Sequence, residues 1–349
     1  MKKTHLKKCE GILLNFIILI LFNATTANAE DGDLVEAPIS VECRSSVKDR
    51  VEAYQIKYES DGLHIPGFLI VPVATDKDRG PFPCVIYNRG GNNYEEDYGA
   101  LTIDGPVCGH LARLASKGYV VIASQYRGVG PDADWPKAAD RDQFGGKDVN
   151  DVINLIPLLQ KLQKGSHPDS VKLPKGMSKK VNSDKIAMYG WSRGGMMTYL
   201  ALRQLAAQSD KLPITTAVVG AGLADLFTSE LNRPGLRPSV HQALIPDYDE
   251  SRTAKLKERS AVFWADELPK SVSLLLLHGT SDTEVNISQA RELADRLHFF
   301  GHPHQIFFVE QFDHGFFRRP MDQPLDRDSP MHISWDDVIV TEWLNRHLK

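Results

Sequence analysis

Residues 185–202 read KIAMYGWSRGGMMTYLAL and carry the pattern G-x-S-x-G between two different periodicities. A mostly apolar run, typical of a buried strand, precedes the pattern, and an apolar pattern typical of a helix follows it. A serine on so sharp a turn needs a strained backbone, and side chains two residues away would collide with it, which explains Gly190 and Gly194. We therefore interpret Ser192 as a nucleophile projecting above the edge of a sheet.

A nucleophilic serine needs a general base, and the base needs an acid that orients it. In α/β-hydrolases these residues follow in the chain order Ser, Asp or Glu, His. Asp282 and His314 occur in that order, each directly after an apolar, strand-like run. Because open α/β sheets assemble their sites at the carboxyl ends of strands, we predict that His314 deprotonates Ser192 and that Asp282 orients His314. Asp225, which follows the preceding strand-like run, is the alternative acid.

Strand-like and helical runs alternate along most of the chain, which predicts one α/β domain over residues 30–349. We expect an α/β-hydrolase fold with a mostly parallel eight-stranded sheet, helices on both faces and an antiparallel N-terminal hairpin. Residues 223–268 exceed a simple crossover and form a possible cap over the site. The predicted strands are 51–58, 63–71, 83–88, 119–124, 185–190, 214–220, 271–278 and 305–310, and the predicted helices are 107–117, 147–163, 192–208, 286–300 and 335–348.

The chain resembles the catalytic domain of the prolyl-oligopeptidase family of serine hydrolases from about residue 51 to its C-terminus. This resemblance implies the fold and the Ser-Asp-His triad, and says less about the substrate. Only about twenty residues separate the N-terminal leader from the first strand, so we expect no β-propeller. The matching segments are GWSRGG (190–195), HGTSD (278–282), DHGF (313–316), DGLHIPGFL (61–69), YRG (126–128) and FGGKDVND (144–151).

Acyl transfer also requires donors for an oxyanion, each contributing roughly 3 kcal/mol to lowering the barrier. One predicted donor is the backbone N–H of Arg193, next to the nucleophile, and the second comes from Gly90 and Gly91 after the third strand. Two adjacent glycines there let the backbone approach the substrate closely. We also expect Trp191, beside the serine, to contact the substrate.

Arg89 departs from the resemblance, because family members usually carry His or Tyr before the two glycines. We predict that its guanidinium lies at the mouth of the oxyanion hole and binds a substrate carboxylate. The alternative is an arginine that points to solvent or pairs with the acidic residues 95–97.

Residues 1–29 are typical of a secretory signal peptide, with a basic start, a short apolar core and an A-x-A cleavage site. We expect an exported protein, periplasmic or extracellular, without stable membrane association after cleavage. The leader carries four Lys and one Glu, so removing its +3 takes the formal charge from −4 to −7. An acidic mature protein argues against nucleic acid as a partner.

Cysteine usage gives little structural information. The mature chain keeps Cys43, Cys84 and Cys108, an odd number, so at least one thiol is free, and no spacing indicates a disulfide framework or a zinc site. The nearby histidines at 298, 302 and 304 favour a polar turn over a metal site, because Pro303 and a helix-to-strand change interrupt them. We expect neither metal nor cofactor.

These residues predict a serine hydrolase that cleaves a small substrate through an acyl-enzyme. A peptidase and a carboxylesterase use the same triad and differ in leaving group and pocket. The resemblance favours a peptidase acting on peptide or amide bonds, with a carboxylesterase acting on small acyl esters as the alternative. A non-catalytic binding protein on a hydrolase fold is the third possibility, and such proteins normally lose a triad member or an elbow glycine. The sequence leaves the oligomeric state open.

Overall fold

The computed structural model describes residues 29–43, 47–75, 79–91, 101–128, 140–315 and 335–349. These residues form a nine-stranded sheet in the order β1-β2-β3-β5-β4-β6-β7-β8-β9. Six strands, from β4 to β9, run parallel to one another, and the first three are antiparallel. The strands are β1 (Ile39–Val41), β2 (Val51–Ser60), β3 (Leu63–Pro72), β4 (Phe82–Asn88), β5 (Val120–Ser124), β6 (Val181–Trp191), β7 (Ile214–Gly220), β8 (Ser273–Gly279) and β9 (His304–Val309).

An antiparallel hairpin of β2 and β3 forms the N-terminal part of the sheet, as predicted. Its two-residue turn is Asp61-Gly62, in which both residues have positive φ, the geometry that matches the twist of the flanking strands. The short edge strand β1 was not predicted; it pairs with β2, where Ile39 faces Gln55. The sheet therefore has nine strands instead of eight.

The central parallel strands are apolar on both faces, because helices cover the sheet from both sides. All residues of β4 and β5 are buried. The sheet order reverses at β4, which lies between β5 and β6, and ligands bind α/β sheets at such a reversal. The carboxyl ends of β4 and β6 therefore define the expected position of a site.

Helices pack against both faces of the sheet, as predicted from the alternating pattern. One core layer includes α3, α5, α8 and α9, and the other includes α1 and α10. The predicted helix 147–163 is divided at Asn154. The helices are α1 (Ala112–Ala115, continuing a π-helical segment, Ile103–Leu111), α2 (Asp148–Ile153), α3 (Leu155–Lys164), α4 (Met177–Lys180), α5 (Arg193–Gln208), α6 (Leu226–Asn232), α7 (Gln242–Leu244), α8 (Tyr248–Glu258), α9 (Ser288–Phe299) and α10 (Trp335–Leu348).

The segment 223–268 is helical and carries α6, α7 and α8. Apolar residues along it, such as Leu226, Tyr248 and Trp264, belong to the main core cluster. The segment is thus packed onto the domain. Its role as a cap over the site stays a prediction. Among the described residues, no helix is long and apolar enough to cross a membrane.

A disulfide joins Cys43 to Cys108, which the cysteine spacing had not indicated. The two residues are 65 positions apart, and their Cα atoms lie 5.1 Å from each other. The bond links the segment between β1 and β2 to the π-helical segment that precedes α1. Cys84 is a free, buried thiol in β4 whose pKa is raised to about 12 by burial, so it remains an unreactive core residue.

Candidate active site

Ser192 lies on the turn between β6 and α5, with φ 54° and ψ −121°. A non-glycine residue rarely adopts this conformation, and such strain persists only where the surrounding structure enforces it. It is the geometry expected of a nucleophile elbow, in which the serine stands clear of strand and helix. The sequence pattern therefore corresponds to a strained backbone.

The glycines of the pattern allow the first turn of α5 to touch the neighbouring strands. A Cβ on Gly190 would lie 2.2 Å from the carbonyl oxygen of Gly194, and one on Gly194 would lie 1.8 Å from that of Asn88. Real side chains cannot approach so closely. Both glycines are required by packing, and the contact with Asn88 brings the elbow against the end of β4.

Asp282 and His314 come from two neighbouring strand ends. Asp282 lies in the turn after β8, His314 in the loop after β9, and His314 Nδ1 is 2.8 Å from Asp282 Oδ2. The other oxygen, Oδ1, accepts the backbone amides of Glu284 at 2.8 Å and Val285 at 2.9 Å. The carboxylate is therefore held in one orientation, with its second oxygen towards the imidazole.

Backbone contacts hold these two loops together. The amide of Ser281 donates to the carbonyl oxygen of Phe312 at 2.9 Å, and the amide of Gln311 donates to Thr280 Oγ1 at 2.9 Å. Gly279 permits this approach, because a Cβ there would lie 2.2 Å from the carbonyl oxygen of Phe312. The HGTSD segment thus brings the loop of His314 to Asp282.

The Asp282 side chain is fully buried, and that of His314 is 23 % exposed. Burial acts to raise the pKa of Asp282, but its close contacts with the two neighbouring imidazoles, His278 and His314, and the hydrogen bond from the Val285 amide outweigh it. The pKa of this carboxyl is consequently well below its ordinary value, and Asp282 is an anion at neutral pH.

His278 is a contact of Asp282 that sequence reasoning missed. Its Nε2 lies 2.9 Å from the carbonyl oxygen of Val285 and 3.2 Å from Asp282 Oδ2, and the side chain is fully buried. The two acceptors require a proton on Nε2, and the hydrogen-bond geometry directs it at Val285. The buried Nδ1 atom has no partner among the described residues. The position of His278 in the HGTSD motif was the available signal.

The alternative acid, Asp225, has a different role. Its side chain accepts the backbone amides of Phe227 at 2.9 Å and Thr228 at 3.2 Å, which makes it the N-cap of α6. Of the two acids considered, Asp282 is the one in contact with His314.

Trp191 connects the serine elbow to the histidine loop. Its ring centroid lies 6.3 Å from that of His314. A Cβ on Gly220 would lie 2.5 Å from the Trp191 ring, so the end of β7 supports the indole. Ser192, Asp282 and His314 follow the carboxyl ends of the parallel strands β6, β8 and β9, at one edge of the sheet. A role for Trp191 in substrate binding stays a prediction.

The predicted oxyanion donors lie on two sides of the elbow. The amide of Arg193 belongs to the first turn of α5, where helix amides lack carbonyl partners. Gly90 approaches from the end of β4, and a Cβ on it would lie 3.1 Å from the Cβ of Ser192. Gly91 follows with φ 72°, a conformation that glycine adopts readily.

Arg89 differs from expectation, because its side chain turns inward and is only 1 % exposed. Its Nε donates to the carbonyl oxygen of Gln125 at 3.1 Å, and its Nη1 donates to that of Gly90 at 3.1 Å. The guanidinium also stacks on Tyr126, 4.6 Å from the ring centroid. It therefore does not point to solvent, and backbone carbonyls occupy donors that a substrate carboxylate would need. Residues 95–97, the alternative partners, lie outside the described residues.

The side chain of Arg193 is held in a buried ionic cluster that the sequence did not reveal. Its two terminal nitrogens bind Asp142 at 2.6 and 2.7 Å, and Nη2 also binds Asp148 at 2.8 Å. Asp148 in turn accepts the amides of Gly145 and Gly146. Burial acts to raise the pKa of Asp148, but Arg193 and the two amides hold it below its ordinary value. The cluster anchors the residue after the nucleophile.

The histidines at 302 and 304 bond to backbone carbonyls. His302 approaches the carbonyl oxygens of Pro269 at 3.0 Å and Pro303 at 3.2 Å, and His304 approaches that of His302 at 2.8 Å. Within the ranges that the structure covers, no group of three His, Cys, Asp or Glu side chains has the arrangement of a metal site.

The family model of the prolyl oligopeptidase family matches residues 109–328. The chain belongs to this family. It is 26 % identical over 278 residues to an uncharacterized peptidase, YtmA, of Bacillus subtilis, covering 78 % of this chain and 89 % of that protein. A probable dipeptidyl-aminopeptidase B of Aspergillus oryzae is 24 % identical over 82 % of this chain, but the match covers only 29 % of the fungal protein. The chain is thus a serine peptidase hydrolase by family.

Solved structures of similar fold include acylaminoacyl peptidases. One from Pyrococcus horikoshii superposes with a TM-score of 0.62 and 20 % identity, over 86 % of this chain and 42 % of that one. An acylaminoacyl peptidase bound to Z-Gly-Gly-Phe-chloromethyl ketone gives a TM-score of 0.61, 19 % identity and the same coverage. At these identities the likeness establishes the α/β-hydrolase fold, and this chain spans less than half of each structure.

Proposed function

We propose that this protein is an exported serine peptidase of the prolyl-oligopeptidase type, which cleaves peptide or amide bonds through an acyl-enzyme on Ser192. The observation that carries the proposal is the 2.8 Å contact between His314 and the buried, anionic Asp282, at the same edge of the sheet as a serine on a strained elbow. A base oriented by an acid, together with a nucleophilic serine, is the arrangement that acyl transfer requires.

In the first half of the reaction, Ser192 Oγ attacks the substrate carbonyl carbon while its proton passes to Nε2 of His314. Nδ1 of His314 faces Asp282, which leaves Nε2 as the nitrogen that accepts the proton. The new C–O bond places a negative charge on the carbonyl oxygen, and the amides of Arg193 and Gly91 are the donors that stabilise it. When the C–N bond breaks, the imidazolium of His314 returns the proton to the leaving amine.

In the second half, water attacks the acyl-enzyme and gives its proton to His314. The C–O bond to Ser192 then breaks, the serine recovers the proton, and the acid product leaves. Asp282 stays ionised throughout and stabilises the imidazolium, which agrees with the direction of its pKa shift. No cofactor enters these steps.

Short peptides and aminoacyl amides are the proposed substrates. The names of the relatives, a dipeptidyl-aminopeptidase and acylaminoacyl peptidases, support this class, although this chain spans less than half of those proteins. The internal anchoring of Arg89 weakens the case for an acidic substrate. Trp191, beside the elbow, is the proposed apolar contact for the substrate.

The Cys43–Cys108 disulfide supports export, because such bonds form and persist in oxidising compartments and are rare in the cytosol. It is consistent with the proposed signal peptide, residues 1–29, of which all but residue 29 lie outside the described residues. We therefore propose the periplasm or the extracellular space as the location.

The direct test is labelling with a fluorophosphonate, which reacts appreciably only with a base-activated serine. The wild type is expected to be labelled and Ser192→Ala to be unlabelled. Ser209→Ala, at the opposite end of α5, serves as a matched control that should be labelled like the wild type. Labelling that persists in Ser192→Ala would place the nucleophile elsewhere and overturn the proposal.

Turnover of matched substrates tests the bond that is cleaved. Aminoacyl amides and short acyl esters with the same acyl group separate the two activities, because the acyl-enzyme is common and only the leaving group differs. Hydrolysis of both classes supports a peptidase. Hydrolysis of esters alone would reassign the protein as a carboxylesterase.

A further inference from the structure

Two consecutive carbonyls of the glycine loop accept hydrogen bonds from two buried arginines. Arg89 Nη1 donates to the carbonyl oxygen of Gly90 at 3.1 Å, and Arg193 Nη1 donates to that of Gly91 at 3.3 Å. Each arginine is only 1 % exposed. One of them precedes the glycines, and the other follows the nucleophile, so the loop is held from both sides of the proposed oxyanion hole.

The hydrogen bond of Arg89 fixes the direction of a particular amide. In a planar trans peptide the C=O and the N–H point to opposite sides. The carbonyl of Gly90 and the amide of Gly91 belong to one peptide, so holding the oxygen from one side directs the N–H away from Arg89. Glycine is the most conformationally free residue, and a Gly-Gly pair needs such an external restraint to present a donor in one direction.

Arg89 is itself rigidly anchored. Its Nε and Nη2 both donate to the carbonyl oxygen of Gln125, just past the end of β5. Its guanidinium lies 4.6 Å from the Tyr126 ring centroid, and that of Arg193 lies 5.1 Å from the same ring. The Tyr126 hydroxyl donates to the carbonyl oxygen of Arg89 at 3.2 Å. Arg89, Tyr126 and Arg193 therefore form one packed unit, which we call the arginine clamp.

We infer that Arg89 is a positioning residue of the oxyanion hole: its buried guanidinium holds the Gly90 carbonyl, so that the Gly91 amide points at the developing oxyanion. This inference rests on the proposed function, and it replaces the predicted contact with a substrate carboxylate. A cationic donor on the carbonyl also polarises the peptide and strengthens its N–H as a donor. Burial and the neighbouring Arg193 lower the pKa of Arg89 to about 10, so the clamp keeps its charge at neutral pH.

Paired phosphorus probes test the inference at Ser192 without knowledge of the substrate. Ser192 attacks phosphorus, the P–F bond breaks, fluoride leaves, and the serine proton passes to His314. A phosphonofluoridate places a P=O oxygen in the oxyanion hole, whereas its thiono analogue places a larger, weaker acceptor, P=S, there. The ratio of the two labelling rate constants reports on the hole itself, since both probes need the same nucleophile and base.

Arg89→Met removes the fork of donors and keeps a long apolar stem. We expect Arg89→Met to slow labelling by the P=O probe roughly 10- to 100-fold and labelling by the P=S probe only about twofold. The effect on the P=O probe is somewhat smaller than that of removing an oxyanion donor itself, because the Gly91 amide remains. The P=O/P=S ratio should therefore fall at least fivefold. Arg203→Met is the matched control, because Arg203 also stacks on an aromatic ring, that of Trp264, and pairs with Glu267 outside the site. Its ratio should equal that of the wild type.

The outcomes separate the two proposals. If the wild type is not labelled at Ser192, the proposed mechanism fails and this inference fails with it. If the wild type is labelled but Arg89→Met slows both probes equally, Arg89 is only structural and the inference alone is overturned. If Arg89→Met does not fold, Arg89→Lys decides, because it keeps the charge but replaces the planar fork, which holds the carbonyls of Gln125 and Gly90 in fixed directions, by a single nitrogen. A lowered ratio in Arg89→Lys supports the clamp, and an unchanged ratio overturns it.

Discussion

Replacing Asp282 by Asn tests the orientation of the proposed base most sharply, because the structure determines how the new side chain must sit. Asp282 Oδ1 accepts the backbone amides of Glu284 and Val285 at 2.8 and 2.9 Å. An amide side chain can satisfy those donors only with its oxygen. Its NH2 group must therefore take the place of Oδ2, which now accepts from Nδ1 of His314.

That exchange reverses the tautomer of His314. Facing an NH2 group, Nδ1 has to accept a hydrogen bond, so the ring proton moves to Nε2, the nitrogen that should accept the proton of Ser192. The equivalent substitution in a serine protease triad lowers kcat by about 10⁴, and we expect a similar loss here. At 1.36 kcal/mol per tenfold change, this corresponds to about 5.4 kcal/mol of barrier.

The assay is steady-state turnover of an aminoacyl amide, with thermal unfolding measured in parallel. KM should change little, since Asp282 does not touch the substrate in the proposed mechanism. Asp225→Asn is the matched control: Asp225 caps α6, and Asn is about as good an N-cap as Asp, so turnover and stability should stay close to those of the wild type. A loss of less than tenfold in Asp282→Asn, or a larger loss in Asp225→Asn, would refute the assignment of the acid.

Three further predictions concern groups around this site and the fold. His278→Phe, which removes the donor to Val285 beside Asp282, should lower kcat more than His278→Gln, which retains a donor, as steady-state kinetics on both variants would reveal. The disulfide joins residues 65 positions apart, so its reduction should destabilise the fold by at most about 4 kcal/mol and lower the melting temperature by roughly 5 °C. An unchanged melting temperature under reductant would contradict this prediction. The folded-state pKa values of Asp148 and Asp282 lie below the ordinary value of an aspartate, so the ionised carboxylates stabilise the folded state above about pH 4. This contribution is lost as the pH falls further, and denaturant titrations between pH 7 and pH 3 should show a falling free energy of unfolding.

The features that the sequence predicted well are those encoded over short distances. The strand-to-helix change around Ser192 is local, and so is the apolar run that ends at Asp282. Since parallel strands end at one edge, the chain order of three strand-end residues was enough to predict that His314 and Asp282 meet, as they do at 2.8 Å. The catalytic roles themselves remain proposals.

The features that the sequence did not predict depend on contacts between distant segments. Arg89 turns inward because its guanidinium donates to the carbonyl oxygen of Gln125, 36 residues away in the sequence. No residue near Arg89 in the sequence indicates this partner. The ion pair between Arg193 and Asp142 likewise joins residues 51 positions apart. The disulfide also depends on the contact between the segment before β2 and the π-helical segment that precedes α1, and short strands such as β1 carry too few residues for a pattern.

Buried charged groups surround the strained elbow and help to hold its backbone in place. A backbone conformation like that of Ser192 costs of the order of 1–3 kcal/mol and persists only when neighbouring contacts enforce it. Gly194 supplies one such contact by packing on Asn88, and the bidentate pair of Arg193 with Asp142 supplies another. A buried charge pair is a weak source of net stability, but removing one partner is strongly unfavourable, so the pair resists any movement that would separate it. The elbow is therefore fixed before a substrate arrives, and the same arginine that fixes it carries one of the two amides proposed to receive the oxyanion.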